Sequence, residues 1–172
     1  HQAMKNNPIE RSKFLVELSR DHHSGLLFCW KIKAGLSKNI DLQRILNYIN
    51  FYWEQHLKAH FQEEETLLFN LSTDPLCWLG KEEHHMLEDR IKQFNLYKHE
   101  AREDYNLFAE LLTKHIRFEE RTLFPYLETA LPAEVLTQVG DFLAAQHAIP
   151  FEEDYSDQFW LKTKNDLHGQ VT

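Results

Sequence analysis

The sequence writes one ten-residue pattern twice: residues 60–69 read HFQEEETLLF and residues 115–124 read HIRFEERTLF. The copies agree at His60/His115, Glu64/Glu119, Glu65/Glu120, Leu68/Leu123 and Phe69/Phe124. On a helix, residues four apart share a face, separated by about 6 Å along the axis. Each copy therefore offers an imidazole and a carboxylate pointing the same way, and two such pairs facing each other make a metal site. The bare spacing is common here, since His84/Glu88 and His99/Glu103 repeat it. What sets the two copies apart is their shared flanks, the apolar residue after each histidine, and a second repeat upstream. D-H-H-S-G-L at 21–26 and E-H-H-M-L-E at 83–88 both place an acid before a histidine pair. The chain thus reads as a duplicated helix pair, with His22 opposite His84 and His60 opposite His115. His23 and His85 are the alternatives for the inward positions.

Stepping along the chain gives the elements that must position these groups. A first helix is expected from Pro8 to about Leu36, with Leu15, Leu18, Leu26, Cys29 and Ile32 as its apolar stripe and His22 within it. Gly35 and then Ser37 to Asp41 signal a turn, with Asn39 or Asp41 as N-cap. A second helix follows from about Asp41 to Leu71, with Ile45, Ile49, Trp53, His60, Leu67 and Leu71 on its inner side. Ser72-Thr73-Asp74-Pro75 breaks it. The third helix is firm from Lys81 to Lys98, Gly80 leaving its first turn open; Leu87, Ile91 and Phe94 set its buried stripe. His84 lies on that stripe, while His85 falls with Glu88, Asp89 and Lys92. No Gly or Pro marks the next turn, around His99 to Glu103. A fourth helix then runs to about Ala130, with Pro125 either kinking or ending it. Pro132 suits the start of a fifth helix to about Gln146. The aromatic tail, with Phe151, Tyr155, Phe159 and Trp160, is expected to pack back.

Short connections between consecutive long helices imply an all-α, up-down-up-down antiparallel four-helix bundle with an additional C-terminal helix and tail. Residues level on two antiparallel helices are equidistant from the turn between them. The midpoint of His22 and His60 is residue 41, that of His60 and His84 is residue 72, and that of His84 and His115 falls between residues 99 and 100. Each coincides with a turn, so four histidines, one per helix, come to one level. Four imidazoles and two carboxylates converging in an apolar interior carry a heavy desolvation cost without a cation. Two divalent cations relieve it, and Glu64 and Glu119, one turn beyond a histidine, can bridge them. His56, His99, His147 and His168 are expected to be satisfied by neighbours.

The length of 172 residues fits one domain, 1–172, whose metal-binding core covers about 9–130, with the C-terminal helix and tail at 131–172. A formal charge of -8 disfavours nucleic acid or an anionic membrane as partner. No run of apolar residues is long enough for a membrane span, and no basic-then-apolar leader opens the stretch. Cys29 and Cys77 lack a C-x-x-C spacing and read as buried apolar filler in a reducing cytoplasm.

The imidazole–carboxylate mix suits iron, manganese or zinc. The ferritin-type pattern of paired E-x-x-H motifs is not met, since only Glu82/His85 shows it in this region, and His56 to His60 lacks the glutamate of a zinc-protease H-E-x-x-H. Single histidines on helices one and three, with H…E pairs on helices two and four, resemble the hemerythrin-like (HHE cation-binding) family over about residues 9–130. The resemblance implies a non-haem pair of iron ions, oxo- or hydroxo-bridged, in a four-helix bundle. His22 and His60 would hold one iron, His84 and His115 the other, and Glu64 and Glu119 would bridge. Oxygen-carrying members place the last carboxylate five residues after its histidine, which would select Glu120; the internal repeat and the helical face favour Glu119. Those carriers also have a further histidine where this chain has Glu88, which is either an extra ligand or solvent-facing. The chain instead resembles the four-histidine, two-glutamate members, linked to iron or oxygen sensing, nitric-oxide handling and repair of iron–sulfur clusters. The expected function is binding of oxygen, nitric oxide or peroxide, or sensing or supply of iron, by a monomer or homodimer. The alternatives are a diiron peroxidase or oxidase-like enzyme, and a helical interaction module with a zinc or incidental metal site.

Overall fold

A computed structural model of the protein describes residues 13–97 and 101–162, which form helices and no strand. α1 spans Lys13–Ser37. α2 runs without a break through Leu42–Tyr52, a π-helical turn Trp53–Leu57, and Lys58–Leu67. After a 3₁₀ turn at Phe69–Leu71 comes α3, Pro75–Leu96. α4 comprises Arg102–Phe118, a second π-helical turn Glu119–Leu123, and Phe124–Ala130. α5 is Ala133–Gln146. The expected start at Pro8, the side chain of Leu15, and His99 and His168 lie outside the described residues.

Local chemistry explains most boundaries. Asn39 takes a positive φ of 56° between α1 and α2, and the Asp41 carboxylate caps α2 by accepting from the Gln43 N–H. Asp74 caps α3 in the same way through Leu76 N–H at 2.9 Å, with Pro75 in the first turn. The Ala101 N–H donates to the Asp104 carboxylate at the start of α4.

Several expectations are corrected. Gly35 and Gly80 are not helix punctuation: both sit inside helices, where neighbours crowd the missing Cβ. A Cβ on Gly35 would stand 2.6 Å from Phe159, and one on Gly80 3.0 Å from Phe69. α3 accordingly starts at Pro75 rather than near Lys81. α2 unwinds at Leu68 (φ -121°), so Leu68 and Phe69 are buried while Leu71 is 42% exposed. Pro125 does not end α4, which continues to Ala130. The π turn before it passes the Phe124 N–H to the Glu119 carbonyl, and this wider ladder accommodates the missing N–H of Pro125.

α1 packs against α2 and α4, α3 packs against α2 and α4, and α5 lies along α1. The interior divides into two apolar clusters. One gathers Phe28, Ile32, Ile45, Tyr48, Ile49, Leu87, Ile91, Phe108 and Leu112 with Phe159 and Trp160 from the tail. The other gathers Leu18, Leu68, Phe69, Leu123, Phe124 and Leu127 with Leu136, Val139 and Leu143 of α5. The tail packs back as expected. Glu153 meets Tyr48 and Lys31, and Asp157 takes a bidentate pair from Arg44 at 2.6 and 2.9 Å. Cys29 and Cys77 are buried free thiols, and burial pushes the Cys29 thiol up to about 11. No described helix is long and apolar enough to cross a membrane.

Candidate metal centre

Between the two apolar clusters lies a polar layer. The buried polar residues of the described chain are His22, His60, Glu64, His84, His115 and Glu119, each 5% exposed or less. They come one or two per helix: His22 from α1, His60 and Glu64 from α2, His84 from α3, His115 and Glu119 from α4. These are the six residues singled out by the repeats, and the structure brings all of them together. Their donor atoms form two groups that could each hold a metal ion: His22, His60, Glu64 and Glu119, and Glu64, His84, His115 and Glu119. Both carboxylates belong to both groups.

All four imidazoles turn Nε2 inward. His22 Nε2 lies 3.0 Å from Glu119 Oε1 and 3.8 Å from Glu64 Oε2. His60 and His84 Nε2 lie 3.2 and 3.1 Å from Glu64 Oε1, and His115 Nε2 lies 3.3 Å from Glu119 Oε1. Yet Glu64 Oε1 and Oε2, Glu119 Oε2, and Nε2 of His84 and His115 have no hydrogen-bond partner. Close approach without donor–acceptor alignment is what atoms converging on a shared cation look like. Left bare, each such buried atom costs about 1–3 kcal/mol. The donor set fits a metal.

Three of the imidazoles are held from behind by a second carboxylate at Nδ1, and a fourth carboxylate faces Nδ1 of His22 without a hydrogen bond. Asp21 accepts from His60 at 2.9 Å, Glu65 from His84 at 3.0 Å and Glu83 from His115 at 2.7 Å, and Glu120 stands 3.5 Å from His22. In His60, His84 and His115, Nδ1–H donated outward fixes the tautomer with the Nε2 lone pair facing inward, the arrangement that orients histidines on metals; His22 instead makes its hydrogen bond through Nε2, to Glu119. The outer acids follow a cycle: α1 holds the histidine of α2, α2 that of α3, α3 that of α4, and α4 that of α1. Each outer acid is the sequence neighbour of an inner residue, in Asp21-His22, Glu64-Glu65, Glu83-His84 and Glu119-Glu120. The duplicated acid-His and Glu-Glu pairs carried this signal, and the sequence reading did not assign it.

Electrostatics agree. Burial would lower the imidazoles, but the inner and outer carboxylates outweigh it: His60 is raised to about 10 by Glu64 and Asp21, and His115 to about 9 by Glu119 and Glu83. His22 and His84 are raised for the same reason. Burial would raise Glu64, but His60, His22 and His84 hold it well below the usual carboxylate range. The pocket thus demands positive charge, from protons or from metal in competition with them.

The remaining candidates separate cleanly. His23 and His85 are exposed. Glu88 faces Lys92 at 3.8 Å, outside both groups. Glu120 takes the outer position and is 32% exposed. Of the apolar residues near the histidines, Leu26 and Phe118 are only half-buried, whereas Phe61 and Ile116 are buried. Phe61 stacks on His84 with ring centroids 3.8 Å apart, and Phe124 stacks on His22 at 5.3 Å. A void of about 10 Å³ touches His22, His60, His115 and Glu119 and is walled by Gly25, Leu57, Phe61, Leu112 and Ile116. A Cβ on Gly25 would meet Ile116 Cδ1 at 2.9 Å. No family model, characterised protein or solved structure matches the chain, and the chemistry is read from these residues.

Proposed function

We propose that the chain is a hemerythrin-like non-haem diiron protein that binds a small ligand such as oxygen, nitric oxide or peroxide, or senses or supplies iron. The observation that carries this reading is Glu64: fully buried, with neither oxygen hydrogen-bonded, and a member of both candidate cation groups. His22 and His60 would hold one iron, His84 and His115 the other, with Glu64 and Glu119 shared. The closed circuit of contacts through α1, α2, α3 and α4 supports an antiparallel four-helix bundle, with α5 and the tail added outside it. Two apolar clusters closing on one polar layer support a single domain.

The donor set bears on the metal. Two imidazoles and two shared carboxylates give each ion four protein donors without thiolate, which suits iron or manganese and also closes a tetrahedral zinc shell. Iron takes more than four ligands, and the apolar void beside His60 and His115, of about one water's size, gives a small ligand a place to approach. Bound iron would supply a redox-active centre with a position open to such a ligand. The chain's own residues do the rest. Asp21, Glu65 and Glu83 orient three of the imidazoles, and Glu120 faces the fourth; Leu57, Phe61, Leu112 and Ile116 exclude bulk water; Gly25 keeps the void open.

Anaerobic loading with iron(II), followed by air, tests the reading. Two irons per chain, one for each group, with near-ultraviolet charge-transfer absorption of a coupled ferric pair, is the expected result. Saturation far below two irons per chain, or absence of those bands, contradicts it.

A further inference from the structure

A second set of titratable groups stands beside the centre and shares only Asp21 with it. A cavity of about 350 Å³ lies between α1, α2 and the segment after α5. Its walls carry Glu17 and Asp21 from α1, His56 and Glu63 from α2, and His147 just past the end of α5. Donor atoms of Asp21, Glu63 and His147 lie within 4.8 Å of one another. His147 repeats the arrangement of the four core imidazoles: Nε2 faces Glu63 Oε2 at 2.8 Å, and Nδ1 faces a second carboxylate, Glu17 Oε2, at 3.5 Å.

An independent observation points to a ligand. The His56 side chain is only 10% exposed, and its Nε2 has no hydrogen-bond partner. His56 lines the cavity, and its Nε2 is turned to Asp21 Oδ1 at 3.7 Å, too long for a hydrogen bond. Phe151 stacks on the ring at 4.4 Å and holds it in place. A buried imidazole nitrogen fixed by stacking and left without a donor or acceptor is poorly explained by packing alone.

We propose that Asp21, Glu63 and His147, with His56 closing from the Asp21 side, form a third site for a divalent first-row transition cation, from which the buried centre is loaded. Three carboxylates, Glu17, Asp21 and Glu63, face the cavity against a single guanidinium, Arg20, which lies 3.7 Å from Glu17. The nitrogen and oxygen donors suit manganese, iron or cobalt in the divalent state. Asp21 links the two sites: Oδ1 faces His56, and Oδ2 accepts from His60 Nδ1. A cation here is one side chain from His60, beneath a rim of exposed Arg20, Gln55 and Ile149. The third site stands on its own geometry; its loading role rests on the dinuclear reading above.

Cobalt(II) titration of the full chain by equilibrium dialysis, alongside the Glu63→Gln/His147→Asn variant, tests both parts. The intact protein is expected to bind three ions per chain, one per group of donors, with one in a weaker, rapidly exchanging class that the variant lacks. Circular dichroism should show the same helix content for both, and Glu63→Gln alone, nearly isosteric, should already weaken that class. Stopped-flow loading of the two tight ions should slow by about tenfold or more in the variant, because the focusing charge is reduced. Equal stoichiometry in the two proteins overturns the third site, and a lost ion with unchanged loading rate overturns its loading role. Absence of the tight class in both proteins, with the weak ion still lost in the variant, would overturn the dinuclear reading while upholding the third site.

Discussion

The two imidazole pairs share the same two carboxylates but stand in different surroundings. His84 is packed between Phe61 and Phe69, at centroid distances of 3.8 and 5.4 Å, and borders neither the void nor the larger cavity. His22 and His60 both border the void, and the outer acid of His60 lines the larger cavity as well. The outer acids differ in another way: Asp21 of the His60 side lines the larger cavity and faces His56, while Glu65 of the His84 side is 29% exposed. A duplicated helix pair has thus produced near-equivalent donors with unequal access. Aromatic carbon seals the centre at His84, whereas His22, His60 and His115 border the void.

The largest effect should come from the residues that belong to both halves. Glu64→Ala or Glu119→Ala is expected to abolish retention of both ions through desalting, whereas His84→Ala should lose only one; metal analysis of purified protein distinguishes them. The second prediction sharpens the contrast between halves. In a His84→Ala/His115→Ala variant the ion left on His22 and His60 should be stripped by chelator faster than the ion left in the reciprocal His22→Ala/His60→Ala variant. Equal rates would show that the aromatic wall does not govern access. Next come the outer carboxylates: Glu83→Gln and Asp21→Asn should each weaken metal binding by about 10–100-fold without changing stoichiometry at saturation.

A fourth prediction separates the metal-free from the loaded chain. His60 and His115 titrate near 10 and 9 when folded, against about 6.5 when unfolded. Their contribution to stability is complete below about pH 6.5 and is lost as pH rises through the folded values. The metal-free protein should therefore lose denaturant stability between pH 7 and 10, in a window where the loaded protein holds it because cations replace the protons. The smallest effect is expected at the void. Gly25→Ala pushes a methyl against Ile116, and should weaken azide binding to the iron-loaded protein by a few fold while leaving the metal content intact.

Much of this was legible before any coordinates. Helix type follows from 3.6-residue periodicity, and the level of the four histidines follows from the distances between turns, which need no side-chain detail. The inward choice of His22 and His84 over His23 and His85 followed from the apolar stripes. What stayed hidden were features that periodicity does not encode. Trp53–Leu57 carries neither Gly nor Pro, so nothing marks its π turn, and Gly35 and Gly80 look like punctuation because their role is close packing against Phe159 and Phe69. The cycle of outer acids depends on which helix neighbours which, and His147 gains its partners only through the docking of α5 on α1.

The most direct test is the anomalous-scattering map from crystals of the iron-loaded full chain. The account predicts two strong peaks, one between His22 and His60 and one between His84 and His115, both in contact with Glu64 and Glu119. A map with no peak among these six side chains, or with iron only at the protein surface, would contradict it.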